Sequence, residues 1–463
     1  MAVGFAFLVV HAFRSGCDHD EVEHLHASWL IAQGNRPFQD FLEQRPPTLY
    51  YLLAPLTRVF EDSPRALIVS ARALDLGLLA IALAVFAALV RPLLRDHQMA
   101  WAPLLLLGCF FFARNSMEVR PDPWMSVLCL IGFWQWTVYL RGGKASHAAI
   151  AGICLGAAIA FLQKAVLFVG LMGLGTALAL RDRASWVRAA KGLGWLAVAA
   201  LVPLGALAGA IGRAGYWSDF VFWNFTFNKF YYLEARFRGP GAPATLATSI
   251  GEDPLLWVAG LVGVVLAGRA LGHRRPPPEI AISAVLVLGT LIALFRSHWP
   301  FSHNLLLMQP ALAVLAAFAL DALRSPRWRL GAGALLLAMI AKLCVLCLFY
   351  DENPGAAEIQ RQLLSATRST DKVAVSPPYH PIFRADAFFF WMVPSNNAVA
   401  YLDCCRTYPC PPGKVDRDRR AWQLQPPRFV YVPPGEPGWA PFEFDQHKGS
   451  YHLTSTPGLW ELN

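Results

Sequence analysis

The chain has 463 residues, 56% of them hydrophobic and 15% charged, with a mean hydropathy of +0.40. A soluble protein carries about 25% charged residues, so a globular enzyme on a single anchor is excluded and a polytopic membrane protein is indicated. The net charge of +9 sits in short basic clusters between apolar runs; such clusters set topology, and no nucleic-acid partner is expected.

Apolar runs read as candidate spans near residues 2–13, 65–90, 100–116, 122–140, 148–163, 165–180, 192–213, 254–271, 279–296, 304–323 and 330–350, about eleven in all. The first is short for a ~30 Å hydrocarbon core; it either inserts thinly or follows an upstream start codon. It lacks a basic leader and a small-residue cleavage pattern, so no cleaved signal peptide is expected.

The basic turns Arg91–Arg95, Arg141–Lys144, Arg181–Lys191, Arg269–Arg275 and Arg324–Arg329 belong on the cytoplasmic side. They alternate correctly only if Pro47–Phe60, about fourteen residues, does not cross. An interfacial helix is expected there. The first loop (14–64), Glu118–Asp122, Gln163–Lys164, the aromatic loop (213–253), Arg296–His303 and the C-terminus then all face outward.

Composition changes near Asp351, dividing a helical membrane domain (1–350) from an outward segment (351–463). Short β-like runs at 372–376, 398–403, 428–432 and 450–455, with helical pieces near Ala356–Thr367 and Arg384–Met392, read as a small α/β domain.

The first loop holds Asp18, Asp20, Glu21 and Glu23 within six residues. Carboxylates beside a bilayer are costly unless solvated, paired or used. On a helix starting near Asp20, that residue shares a face with Glu23 and His24, and Glu21 sits about a hundred degrees away. Partial desolvation lifts a carboxylate toward the working range of a general base. The plain alternative is a solvated loop with helix caps. Farther on, Glu118, Arg120 and Asp122 lie at the outward end of a span, Lys164 in a tight outward turn, and Arg296, His298 and His303 beside another turn. Charges of both signs on one face suit an anionic head group. Taken singly, Lys164 reads equally as a snorkelling lysine, Arg296 as an interfacial anchor, and Asp122 as part of a helix start with Pro121. The aromatic loop reads as an interfacial belt. Alternatively it is a lid with Trp217, Trp223 or Tyr231 stacking on a sugar and Asn224, Asn228 or Glu234 bonding to it.

The order Asp20-Glu21, Gly34, Pro37-Phe38, Asp40, Pro46-Pro47 resembles the first loop of the GT-C glycosyltransferases, in particular the protein O-mannosyltransferases and lipid A aminoarabinose transferases. Arg120 with Asp122, the Gly-rich span leading to Lys164, and the apolar run 305–320 also match. The resemblance is closest before residue 125 and looser up to about residue 350. It implies a polytopic helical fold with interfacial helices in the first loop. It also implies transfer of a sugar from a polyprenyl phosphate to an acceptor hydroxyl on the extracytoplasmic face, with a first-loop acid as base. On this reading Asp20 is the base in an inverting transfer. Glu21 or Asp122 orients the acceptor or the sugar, and Asp40, Trp217, Asn224 and Tyr231 contact them. Lys164, Arg296, Arg120, His298 and His303 hold the leaving phosphate, and the lipid tail lies between spans. Neither the sugar nor the acceptor (glycan, lipid or protein) is specified. The Ala-, Arg- and Gly-rich composition points to a bacterial inner membrane with the outer face periplasmic.

No cofactor is expected. A divalent metal on Asp18, Glu23 and His24 is a minor alternative, since the spacing matches no recognised zinc pattern. Cys410 is expected to bridge Cys404 or Cys405, because adjacent cysteines seldom bridge each other; the one left over could meet Cys17. Two other classes remain. A transporter or flippase of lipid-linked glycans would place charges near the midplane, whereas here they gather at span ends, with few exceptions such as Asp75 and His11. A ligase or polymerase would carry its key residues in a large late loop.

Overall fold

The computed structural model describes residues 1–95, 102–180, 182–234, 241–273, 276–297, 302–322, 326–392, 394–435 and 440–463. In chain order the helices are α1 (Ala2–Arg14), α2 (His19–Ala32), α3 (Thr48–Val59), α4 (Pro64–Val90), α5 (Ala102–Leu107), α6 (Phe110–Asn115) and α7 (Pro121–Leu140). They continue with α8 (Ala145–Phe161), α9 (Ala165–Ala179), α10 (Arg183–Ala214), α11 (Trp217–Val221), α12 (Ala242–Glu252), α13 (Pro254–His273), α14 (Pro278–Arg296), α15 (Gln309–Asp321) and α16 (Pro326–Phe349). Wide π-type turns follow α11 at Phe222–Phe227 and Phe230–Glu234. The C-terminal part adds α17 (Ala356–Ala366), β1 (Lys372–Val375), β2 (Ala385–Asp386), α18 (Pro394–Cys405), α19 (Lys414–Leu424), β3 (Phe429–Tyr431), α20 (Phe444–His447), β4 (Tyr451–Leu453) and β5 (Leu459–Leu462).

Among the described residues, five helices are long and apolar enough to cross a membrane by length and composition: Pro64–Leu93, Arg183–Ala214, Pro254–Leu271, Pro278–Arg296 and Leu330–Phe349. Four shorter apolar helices accompany them. The chain divides into two compact units. One holds Met1–Phe13, Ala73–Ala208 and Arg238–Tyr350; the other holds Arg14–Arg72, Gly209–Phe237 and Asp351–Asn463. The compositional break at Asp351 is thus a unit boundary, and the first loop and part of the aromatic loop cluster with the C-terminal segment.

In the first unit, small residues let helix backbones touch. Ala148, Gly152, Gly156 and Ala160 recur at every fourth position of α8 and are all buried. A Cβ on Gly156 would stand 2.5 Å from the Ala200 carbonyl of α10. In lipid, where apolar burial does not drive helices together, such close packing does. Gly156→Val is therefore expected to lower stability by about 1–3 kcal/mol in thermal unfolding of the detergent-purified protein. Gly170→Val, where the added carbon meets nothing within 4 Å, serves as the control and leaves the midpoint near wild type.

The run expected as one span over 100–116 is instead two six-residue helices, α5 and α6. The break at Gly108–Cys109 creates a second helix N-terminus inside the bundle. The buried Asp253 carboxylate supplies its acceptors, taking the Phe110 and Phe111 N–H groups at 3.0 and 3.3 Å. A carboxylate there satisfies orphan donors and the helix dipole together.

In the second unit, α2 and α3 have 14 and 12 residues, about 21 and 18 Å of helix, too short for a ~30 Å core. The C-terminal sheet runs β2-β1-β3-β5-β4, parallel through β2, β1 and β3 and antiparallel through β5 and β4. Strand alternation builds two cores. Val373, Val375, Phe429 and Tyr431 pack with Leu363 of α17, and Ala374 and Val430 pack with Trp422 of α19.

Two expectations fail here. Residues 398–403 are part of α18, not a strand. Their buried partners Asn397, Ala398, Tyr401 and Cys404 fall at helical spacing, and Pro394 fits the first turn. Residues 384–392 are not helical: β2 pairs with β1, and the Phe389 and Phe390 N–H groups go to the Asp418 carboxylate at 2.6 and 3.2 Å. Cys410 bridges Cys405. Cys404 and Cys17 are both free and buried, so the leftover cysteine does not bridge to Cys17. The Cys17 Sγ instead accepts from Gln360 Nε2 at 3.5 Å.

Candidate active site

In the second unit, the acid-rich run resolves into different jobs. Asp18 is the N-cap of α2: its carboxylate accepts the Asp20 N–H at 2.8 Å, and its own N–H goes to Glu21 Oε2 at 2.9 Å. This reciprocal box satisfies two orphan donors. Glu21 is fully buried, and Arg72 grips it with two nitrogens, at 2.7 and 2.5 Å. The same guanidinium donates to the Ser15 and Gly16 carbonyls at 3.1 and 2.6 Å. Glu21 thus locks the start of α2 to Arg72.

Asp20 faces differently, and its side chain keeps 15% exposure. It lies 3.6 Å from the Arg45 guanidinium. Arg45 also pairs closely with Glu23 and stands 4.0 Å from Glu43. Three carboxylates therefore share one guanidinium. Glu43 is held in place by the Gln44 and Arg45 N–H groups, at 2.7 and 3.0 Å. Burial pushes Glu23 up to about 8; Arg45 opposes the shift, and Asp20 and Glu43 add to it. Burial also raises Glu43, against Arg45. The cluster thus retains a proton near neutral pH while Asp20 stays open to solvent. Unfolded glutamate releases its proton near 4.5 and folded Glu23 near 8. Stability from this group is therefore fully present below the first value and lost as pH rises through the second. The thermal midpoint of wild type is expected to fall between about pH 5 and pH 8.5, and that of Glu23→Gln to vary less over the same window.

Arg45, Glu43 and Tyr50, buried beside Glu43, are members that sequence reasoning missed. The signal was present: Glu43 and Arg45 stand just before Pro46-Pro47 in the matched motif. Tyr231 of the aromatic loop comes within electrostatic reach of Arg45 and Glu23. Asn228 donates to the Gln44 carbonyl at 2.6 Å and to the Asn224 carbonyl at 3.1 Å. Asn224 is buried, whereas Trp217 is half exposed beside Phe220. Asp40 closes a turn by accepting the Arg36 N–H at 2.7 Å, and Phe38 beside it is left-handed at φ 68°. The Phe38 and Gln39 carbonyls receive Lys414 Nζ at 2.9 and 3.2 Å. His24 is buried against Tyr50. One ligand atom each from His19, Asp20 and Glu23 lies within 4.8 Å of the others. Among the described residues of the first loop, these three are close enough to hold a cation.

In the first unit, Arg120 is the N-cap of α7, Pro121 opens the helix, and Asp122 sits in its first turn. Asp122 Oδ1 meets Lys164 Nζ at 2.9 Å, and His303 and Arg120 act on it electrostatically. Arg120 also pairs with Glu118 at 2.7 Å, which Arg114 meets at 3.3 Å. Lys164 lines a cleft of about 180 Å³, as do the polar residues Thr290, Ser297 and Asn304. The rest of the lining is apolar: Leu167, Phe168, Ala293, Leu294 and Leu307. Arg296 is exposed in the last turn of α14, next to Ser297. His298 lies outside the described residues.

No protein-family model and no curated protein matches the sequence. Solved structures do match. ArnT from Cupriavidus metallidurans in the apo state has a TM-score of 0.69 at 15% identity, covering 100% of this chain and 96% of that one. The same protein bound to undecaprenyl phosphate gives 0.59 at 16%, covering 79% and 72%. The apo oligosaccharyltransferase of Archaeoglobus fulgidus gives 0.52 at 13%, covering 93% and 68%. These neighbours are GT-C glycosyltransferases, and the chain has their fold, as the first-loop resemblance implied.

Proposed function

We propose that the chain is a membrane glycosyltransferase that moves a sugar from a polyprenyl phosphate to an acceptor hydroxyl, with inversion. The observation that carries the reading is the Lys164 cleft, in which a cation paired with Asp122 lines a cavity whose other lining residues are mostly apolar. Its chemistry suits a ligand with a phosphate head and an isoprenoid tail. The structural neighbour ArnT, bound to undecaprenyl phosphate, supports that choice.

Asp20 takes the acceptor proton as general base, the acceptor oxygen attacks the anomeric carbon, and polyprenyl phosphate leaves with the bonding pair. A phosphate is a good leaving group, so no strong acid is required. Lys164, Arg120 and His303 supply positive charge, and Asp122 holds Lys164 in place. Arg45, with Glu23 and Glu43, fixes the setting of Asp20. Tyr231 is the aromatic-loop residue we assign to the sugar. The chemistry calls on no cofactor. The acceptor is a glycan, lipid or protein hydroxyl, and the setting is a bacterial inner membrane with the reacting groups on the periplasmic side.

Removing a preorganised donor costs about 10²–10³ in turnover. Lys164→Met is expected to lose that much with a labelled polyprenyl-phosphate sugar and to bind the lipid phosphate more weakly. Unchanged donor binding in a folded Lys164→Met protein would remove the cleft from the account.

A further inference from the structure

Within the second unit, three titratable side chains meet away from the first-loop cluster. His26 of α2 and His380 are buried, and the Asp386 side chain keeps 6% exposure. His26 Nδ1 lies 2.5 Å from the Ile382 carbonyl, and its Nε2 lies 2.6 Å from Asp386 Oδ2. Both facing atoms are acceptors only, so both ring nitrogens must carry protons. His380 has the opposite requirement. Its Nδ1 accepts the Ile382 N–H at 3.0 Å, which leaves its proton on Nε2; that nitrogen lies 3.2 Å from Asp386 Oδ1, an electrostatic contact without hydrogen-bond alignment.

The surroundings suit that assignment. Trp29 stacks on His26 at 5.5 Å, a ring face that favours a cation, and Trp391 meets it at a steep angle at 4.8 Å. Burial and the neighbouring His26 push His380 down to about 4, consistent with a neutral ring. Burial works to raise Asp386, yet His26 and then His380 hold it down to about 2. Asp418, on the Phe389 and Phe390 N–H groups, is a further acid acting in this region. Ile382 itself has φ 63°, a strained conformation for a β-branched residue. The two histidines take its N–H and its C=O and so hold it there.

We propose that His26, Asp386 and His380 form an imidazolium–carboxylate–imidazole latch that fixes α2, and with it the first-loop carboxylates, to the C-terminal segment. The protonated Nε2 of His380 argues against the other use of such a trio, a transition-metal site, because a ligating nitrogen needs its lone pair. The latch stands on geometry alone. Its role as a positioning device for Asp20 rests on the reading of the first loop as the base-bearing element.

Two arms test it on the full-length protein. In ¹⁵N-histidine-labelled protein at pH 7, assigned with His26→Gln and His380→Gln, His26 should show two protonated ring nitrogens and His380 one. An unprotonated nitrogen on His26, or a zinc-induced shift of the His380 signals, would overturn the latch. In the kinetic arm, with any polyprenyl-phosphate sugar that wild type turns over, Asp386→Asn should lower kcat about tenfold or more and change the donor KM less than about threefold. If Asp386→Asn does not fold, His380→Gln, which keeps the His26–Asp386 pair, should show the same kcat-weighted loss at smaller size. An unchanged kcat in the folded variant would overturn the positioning role. If wild type turns over no donor, the functional reading fails, while the nitrogen spectra still decide the latch.

Discussion

Asp20→Asn is expected to abolish sugar transfer, by about 10²–10⁴-fold, the range a positioned general base contributes, while the protein stays folded. Folding is retained for local reasons. The α2 cap is made by Asp18 and Glu21, so the substitution leaves it intact. Arg45 keeps its close partner Glu23. Asp20 is also the least buried of the acids around Arg45, so the amide buries little that was solvated. Donor binding should persist, since the lost group acts on the acceptor proton. The check is turnover and lipid-phosphate binding measured on the same preparation, alongside its unfolding midpoint. Activity within a few-fold of wild type would move the base to another acid, Glu23 first.

Arg72→Met should do the reverse and cost the fold before the chemistry. It strips a fully buried carboxylate of its bidentate partner and frees two carbonyls from the guanidinium. Breaking one side of a buried pair destabilises by about 3–5 kcal/mol, mostly through the uncompensated charge left behind. Adding Glu21→Gln removes that charge and should recover part of the loss, the non-additivity expected of contacting residues. Denaturant or thermal unfolding of the wild type, both single variants and the double variant measures this. A full loss in the double variant would mean that packing around Arg72, not its pairing with Glu21, carries the stability.

These two adjacent acids show how far the sequence could be read. The sequence puts Asp20 and Glu21 on different faces of one helix, with Asp20 as base. It does not reveal Glu21's pairing, because the partner lies 51 positions away in a run otherwise read as apolar. That arginine was itself the clue, since a charge within a span is costly unless paired. The helical part was legible from hydropathy and the alternation of basic turns, and the short α3 from its length and prolines. The break between α5 and α6 was not, because the carboxylate that caps it comes from position 253. The same holds for the His26 latch, whose partners stand more than 350 positions along the chain. Within the C-terminal segment, β1, β3, β4 and α17 follow local patterns. In contrast, residues 384–392 satisfy their backbone through Asp418 and the first loop, as in the Leu42 N–H bond to the Phe389 carbonyl. Asp40 of the matched motif also has a local contact that spacing did not indicate. Its carboxylate closes the turn on Arg36.

The central claim is cleavage of a sugar–phosphate bond, and the direct measurement is release of polyprenyl phosphate. Purified wild-type protein would be given radiolabelled polyprenyl-phosphate sugars with varied acceptors, and Asp20→Asn run in parallel. The account predicts that at least one donor is converted to free polyprenyl phosphate and a glycosylated acceptor by wild type, and that none is by the variant. Movement of an intact lipid-linked sugar across the bilayer of reconstituted vesicles, with no bond cleaved for any donor, would contradict it and make the protein a transporter.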